Sequence, residues 1–291
     1  MSYIHPNDYY RSYHGHTYNH LQIVYNGLSK NKKDKIYLAG DSSLDNKFWL
    51  NNNFVSAVDD YKLFLKPSLM KPDVCYQIIQ LCISKNLPYS VINCAVEEST
   101  IANRLNDGLL TQDKFIRDNI RSDDILIVSV GGNDIALSPS GSTIWNIIKL
   151  LTLNSLDSIK TNPLNAWGMP YFINMFQTKV KEYILKIIGT TRPKKILICM
   201  IYFPDENMTG GGWADTTLGY LGYNSNPIKL QEMIRQIFIH ATSKITIDGS
   251  EVIPVPMFDV MDGKDSSDYI QRVEPSEKGG LKMAQQFISF I

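Results

Sequence analysis

The chain has no surplus of charge of either sign: 29 Lys and Arg stand against 29 Asp and Glu in 291 residues. A balanced chain carries no electrostatic footprint for nucleic acid or an anionic membrane. The one basic cluster, Lys30, Lys32, Lys33 and Lys35, is short and reads as a solvated loop. Cysteine is scarce. Cys75, Cys82, Cys94 and Cys199 show no metal-ligand spacing, and two fall in apolar runs, so they read as reduced buried thiols. No apolar run reaches the roughly 18 residues that a membrane span needs. The stretch from Met1 to His20 is polar and aromatic, without the apolar core of a signal peptide, so the expected compartment is the cytoplasm. No dinucleotide or P-loop glycine pattern follows a strand-like run, and no organic cofactor is indicated. There are no internal repeats.

What is present is an alternation. Continuous apolar runs at Ile36–Ala39, Ser90–Cys94, Ile125–Val130, Ile196–Ile201 and Val252–Met257 read as strands buried on both faces. Between and after them lie amphipathic stretches near Asp73–Lys85, Gln112–Asn119, Tyr171–Ile188, Pro227–Lys244 and Pro275–Ile291. The pattern predicts an α/β fold, a three-layer α/β/α sandwich around a mainly parallel five-stranded sheet. Residues 1–34 read as a partly flexible N-terminal extension, and 35–291 as the domain. A helical segment is inserted around 138–178, either a helix packed on the sheet edge or a lid or acyl-binding wall. Pro204–Pro227, with Gly210-Gly211-Gly212-Trp213, is either a pocket-lining loop or an irregular crossover.

Three strand ends carry chemistry. The first strand ends in Gly40-Asp41-Ser42-Ser43-Leu44, the second in Asn93-Cys94-Ala95-Val96-Glu97-Glu98, and the third in Val130-Gly131-Gly132-Asn133-Asp134. In an open parallel sheet these ends share one edge, where such proteins build their sites. A serine hydroxyl needs a base and donors for a developing oxyanion. Asn133 offers an amide, and the paired glycines allow close backbone approach. That set suits acyl transfer.

These blocks resemble those of the SGNH hydrolases, also called the GDSL lipases and esterases. The resemblance puts Ser42 at the nucleophile position and Asn133 at the oxyanion-donor position, beside Gly132. In the second block Glu98 stands where the family has glycine, whose backbone N–H is the donor; the Glu98 side chain must then point away. The resemblance also implies a flavodoxin-like strand order, and substrates among acyl or acetyl esters. The family ends in Asp-x-x-His. Here the same frame reads Asp268-Tyr269-Ile270-Gln271-Arg272-Val273-Glu274-Pro275, with Gln271 at the aspartate position and Glu274 at the histidine position.

The five histidines offer no replacement. His240 falls on the polar face of its helix with Lys229, Glu232 and Gln236 and reads as exposed. His5, His14, His16 and His20 lie upstream of the first strand. His14-x-His16 with His20 admits a metal reading, but without a fixed carboxylate or thiol partner a mobile tail or surface helix is expected. Glu274 is therefore the candidate base. Free Glu titrates near 4.3 and His near 6.5, so Glu starts as the weaker base until burial raises it. Arg272, if it reached the carboxylate, would oppose that rise.

The expected function is a serine hydrolase acting on small-molecule esters through an acyl-Ser42 intermediate. Ser42 and Glu274 are catalytic, Glu98 and Asn133 are donors, and Asp41, Asp268 and Gln271 lie around them. The alternative is a binding protein that grips an acyl, carboxylate or acetylated-sugar group without turnover. A third reading has Asp41, Asp134 and Glu274 hold Mg²⁺ or Ca²⁺; the resemblance suggests no metal. Oligomeric state is not legible.

Overall fold

The computed structural model describes residues 2–31, 33–137, 139–209 and 211–291. Lys32 of the basic cluster, Ser138 at the head of the inserted segment and Gly210 of the glycine run lie outside them, as does Met1.

Five parallel strands form the central sheet: β1 (Asp34–Gly40), β2 (Tyr89–Asn93), β3 (Ile125–Ser129), β4 (Lys195–Met200) and β5 (Glu251–Pro256). Each begins and ends within two residues of its expected bounds. The order is β2-β1-β3-β4-β5. The apolar runs are continuous because helices cover both faces. Ile36, Tyr37, Leu38 and Ala39 of β1 are all fully buried. β5 lies at an edge and carries Pro254 and Pro256, which an interior strand would not accept.

The order reverses between β1 and β3, and ligands of open α/β sheets bind in the crevice at that switch point. Register brings the strand ends level: Leu38 lies beside Asn93, Gly40 beside Ser129, and Ser129 beside Cys199. Ser42 follows β1 and Asn133 follows β3, so both stand over the crevice.

The helices follow the amphipathic stretches. Val74–Ser84 is capped by Asp73, whose side chain accepts from Tyr76 N at 2.8 Å, and it packs on the last helix, Glu277–Ser289. Met169–Ile173, a π-helical turn at Asn174–Lys179 and Val180–Ile188 run on from one another. In the inserted segment, Gly141–Leu153 buries Thr143, Ile147 and Leu150 while Ile144, Trp145 and Ile148 stay exposed. The apolar residues of this helix thus divide between two faces, and none lines the Ser42 cavities. The four cysteines are buried and unpaired.

Of the mobile tail or surface helix expected for the N-terminal residues, the structure shows helices, with part of their surface buried. Pro6–Arg11 and Tyr18–Leu28 are helices docked on the body, with Tyr9, Tyr10, Leu21, Val24 and Leu28 buried. His16 is buried too, stacked on Tyr9 at 3.9 Å between ring centroids, with Nδ1 bonded to the Tyr9 carbonyl. Aromatic rings share this core with the aliphatic stripe of Leu21, Val24 and Leu28. His240 is half-buried rather than exposed, and Glu232 on the same helix is buried.

Candidate functional site

The turn after β1 is set by close approach. A Cβ on Gly40 would lie 2.1 Å from the Ser129 carbonyl oxygen, so only glycine lets β1 and β3 meet there. Asp41 then ties its own loop: Oδ1 accepts from Ser43 N at 3.1 Å and from Ser43 Oγ at 2.7 Å. Ser43 Oγ also bonds Ser129 Oγ at 2.7 Å. Asp41 and Ser43 are buried, while Ser42 is half-buried and lines two cavities. Beneath the loop lies a buried ion pair of Asp45 and Lys47, with Asn93 Nδ2 donating to Asp45 Oδ1 at 3.0 Å. Arg104, fully buried, donates from Nη2 to the Gly40 carbonyl at 2.8 Å and from Nε to Asp113. Nothing in the spacing of Arg104 singled it out.

The second and third blocks hold each other. Asp134 accepts from Ile101 N at 2.9 Å and Ala102 N at 3.0 Å, closing the first turn of the helix Ile101–Asn106. Asn133 Nδ2 donates to the Ser99 carbonyl at 3.1 Å. A carboxamide nitrogen carries two N–H groups, so one remains for a ligand. Glu98 holds φ +58°, the left-handed backbone that glycine adopts most cheaply. Its side chain is exposed, as expected, and accepts from Tyr13 OH at 3.1 Å. With Asp41 and Asp134 bonded to backbone and hydroxyl groups, they are poor ligands for the cation of the third reading. Among the described residues no group of three His, Cys, Asp or Glu is poised to hold a metal.

The fourth block brings Glu274 to Ser42. Glu274 is 2% exposed and lines both cavities with Ser42. Oε1 accepts from Trp213 Nε1 at 3.2 Å. Oε2 is buried without a hydrogen-bond partner among the described residues, and Ser42 lines the same two cavities, near enough to act on the carboxyl. Burial pushes the pKa up to about 7; the Asp41 charge adds to the rise, and the nearby Ser42 hydroxyl and the Trp213 hydrogen bond oppose it. Arg272 does not reach this carboxylate. Its guanidinium donates to the Asp205 carbonyl, Asp215 Oδ1 and Asn224 Oδ1.

Gln271 and Asp268 sit differently from expectation. Gln271 Oε1 accepts from Trp213 N at 3.2 Å, so it steadies the tryptophan that bonds Glu274 rather than Glu274 itself. Asp268 turns to the C-terminal helix, where Lys282 holds it. Asp268 lies six residues before Glu274, and Lys282 supplies its charge partner.

Sequence reasoning missed Trp213 as a carboxylate partner and Glu97 as a wall of the site. Glu97 is 2% exposed and shares a cavity with Ser42, Asn133 and Glu274. Burial pushes its pKa up, and the charges of Asp45 and Glu274 push it further. Its place next to Glu98, straight after a strand end, was the available signal. No histidine lines either Ser42 cavity among the described residues; His14 lines an outer cleft beside Glu97 and Glu98.

The two cavities differ. One, of about 100 Å³, runs from Ser42 along Ile135, Ile201, Leu218, Leu230, Met233 and Ile234. The other, of about 160 Å³, is bounded by Tyr13, Trp49, Glu97, Glu98 and Trp213.

No protein-family profile matches the chain, and no curated protein sequence does. Solved structures do align with it. One is a carbohydrate esterase family 3 protein from Talaromyces cellulolyticus, 12% identical over 87% of this chain and 94% of that one, TM-score 0.42. A carbohydrate acetylesterase from Sinorhizobium meliloti is 13% identical over 89% and 100%, TM-score 0.43. A phospholipase A1 from Streptomyces albidoflavus NA297 is 10% identical over 88% and 99%, TM-score 0.41.

Proposed function

We propose that the protein is an ester hydrolase of SGNH type in which Ser42 is the nucleophile and Glu274 the base. The observation that carries this reading is that Ser42 and the buried Glu274 carboxyl line the same two cavities, with the carboxyl's pKa pushed up to about 7. Such a carboxylate accepts a proton at neutral pH and returns it readily.

Ser42 Oγ attacks the ester carbonyl carbon while Glu274 takes the hydroxyl proton. Negative charge gathers on the carbonyl oxygen, where the free Asn133 N–H and the Ser42 and Glu98 backbone N–H groups are the donors in reach of the loop ends. The intermediate collapses, the alkoxide takes the proton from Glu274, and an alcohol leaves. Water then attacks the acyl-Ser42 carbonyl with the same base, releasing the acid. Trp213 holds the carboxylate at one oxygen, and Asp41 with Ser43 keeps the loop rigid. The apolar slot receives the acyl group. At about 100 Å³ it is well below the roughly 300–1,000 Å³ of a drug-sized pocket, which suits a short acyl chain.

The direct test is labelling with a fluorophosphonate, with Ser42→Ala as control, followed by p-nitrophenyl esters of increasing chain length. Ser42-dependent labelling and a preference for short chains are expected. A folded protein that takes no label is a binding protein, and the hydrolase reading is then lost.

A further inference from the structure

The second chamber is built unlike the first. Tyr13, Trp49 and Trp213 wall it, with Glu97 and Glu98 alongside. Phe48 extends the aromatic wall: its ring meets Tyr13 edge-on at 4.7 Å between centroids and Trp49 at 5.4 Å. No Lys or Arg lines this chamber among the described residues. Lys47, the cation that acts on Glu97, is already paired with Asp45. His14 lies beyond, in the outer cleft.

Glu97 is the informative member. It is 2% exposed, yet its Oε1 has no hydrogen-bond partner. Buried carboxyl oxygens ordinarily have one. Trp49 Nε1, in the same wall, acts on this carboxyl but makes no hydrogen bond of good geometry. An enclosed carboxyl with an open oxygen, in an aromatic chamber beside a second carboxylate, leaves a place for a positive group.

We propose that this chamber holds a cationic leaving group, so that the substrate is a short-chain ester of an amino alcohol bearing an ammonium head. The proposal rests on the Ser42 hydrolase reading, since it names the half of the ester that departs. Aromatic rings attract a cation within about 6 Å of their centroids, most strongly where it is shielded from water. Glu98 supplies counter-charge, and a cation in the chamber draws Glu97, whose pKa burial pushes up to about 9, towards its charged form. An anionic alcohol is repelled by Glu98, and a neutral polyol leaves Glu98 without counter-charge. During turnover the alkoxide takes its proton from Glu274 and the ammonium passes through unchanged.

The test compares kcat/KM for acetylcholine with that for its neutral carbon isostere, dimethylbutyl acetate. Tetramethylammonium is titrated in parallel, read by tryptophan fluorescence. The expected result is a preference of about tenfold or more for the cationic ester, reduced several-fold in Glu98→Gln and weakened by salt. Tetramethylammonium should quench fluorescence in wild type and in Ser42→Ala, and quench less in Glu98→Gln. Equal rates on the two esters overturn the cation site and leave the hydrolase reading standing. If neither ester is hydrolysed and Ser42 takes no label, the hydrolase reading fails separately. The titration then decides alone: quenching that Glu98→Gln weakens supports the cation site, and its absence overturns it.

Discussion

Asn46 Nδ2 donates to the Pro275 carbonyl at 2.9 Å, so the loop that carries Ser42 is tied to the residue after Glu274. The same side chain accepts from Val74 N at 3.0 Å. One buried amide therefore joins the nucleophile loop, a helix start and the segment bearing the base. Asn46→Ala should destabilise the fold by about 2–3 kcal/mol, as two buried groups lose their partner. It should also lower kcat more than it raises KM, because the distance from Ser42 to Glu274 is no longer held. Denaturant melts and ester kinetics on the same sample check both. A destabilised variant with wild-type kcat would show that Asn46 has no part in placing the base.

The reaction needs Glu274 ionised when ester binds. With its pKa pushed up to about 7, kcat/KM should rise with pH through about 7 and level off above it. A free glutamate would give a midpoint near 4.3. The Trp213 hydrogen bond favours the charged form, so Trp213→Phe should move the midpoint to higher pH by about one pH unit. A midpoint unmoved in that variant would mean that the rising limb reports another group.

Burial of Glu274 also has a consequence for stability. Its folded-state pKa lies above its unfolded one, so the folded state binds the proton more tightly. That contribution is fully present below about pH 4.5 and is lost as pH rises through about 7. Ionising the buried carboxyl costs about 3 kcal/mol. Glu274→Gln removes that cost. The variant should be more stable than wild type by up to about 3 kcal/mol at pH 8, and nearly equal to it at pH 4. It should have almost no esterase activity. Melts at the two pH values check the sign, and equal stabilities at pH 8 would refute it.

The adjacent glycines make a sharper pair. Gly131 holds φ +104°, and a Cβ there would lie 2.7 Å from the Phe176 ring. Gly132 is helical, and its added Cβ would meet only Ile201 at 3.8 Å and Asp41 at 3.9 Å. Gly131→Ala should destabilise by about 2–4 kcal/mol through strain and overpacking. Gly132→Ala should be neutral or stabilising by up to about 1 kcal/mol, yet it places a methyl in the Ser42 cavity. Thermal melts of the two variants should therefore move in opposite directions or by very different amounts.

Strand positions, five amphipathic helices and the three loop blocks were legible because burial on both faces leaves long apolar runs and sharp ends. Three things were not. The N-terminal helices hide because their aliphatic stripe, Leu21, Val24 and Leu28, is short, and tyrosines with a buried histidine supply the rest of their core. Arg104 hides because its role, holding the Gly40 carbonyl from beneath, depends on how two distant turns meet. Trp213 hides because its indole reaches Glu274 across 61 positions of the chain, and no local pattern encodes such a contact. Glu98 lies between these cases: its position was readable, and only the backbone shows why a glycine would suit it.

Placing a histidine at position 274 tests whether the site is built for a carboxylate. A neutral imidazole has one donor nitrogen and one acceptor nitrogen. Trp213 Nε1 donates to the residue at this position, so it would claim the acceptor. The nitrogen left to face Ser42 would then carry the proton and could not take another. Gln271, at the place of an orienting aspartate, already accepts from the Trp213 backbone and cannot select the other tautomer. Glu274→His should therefore fall close to Glu274→Gln in kcat. Adding Trp213→Phe frees the acceptor, and the double variant should recover part of the lost rate, more than tenfold above Glu274→His alone if the tautomer is the obstacle. Fluorophosphonate labelling rates of the four variants give the comparison without a choice of ester. If Glu274→His alone matches or exceeds wild type, the tryptophan does not set the tautomer and the carboxylate has no special place in this site.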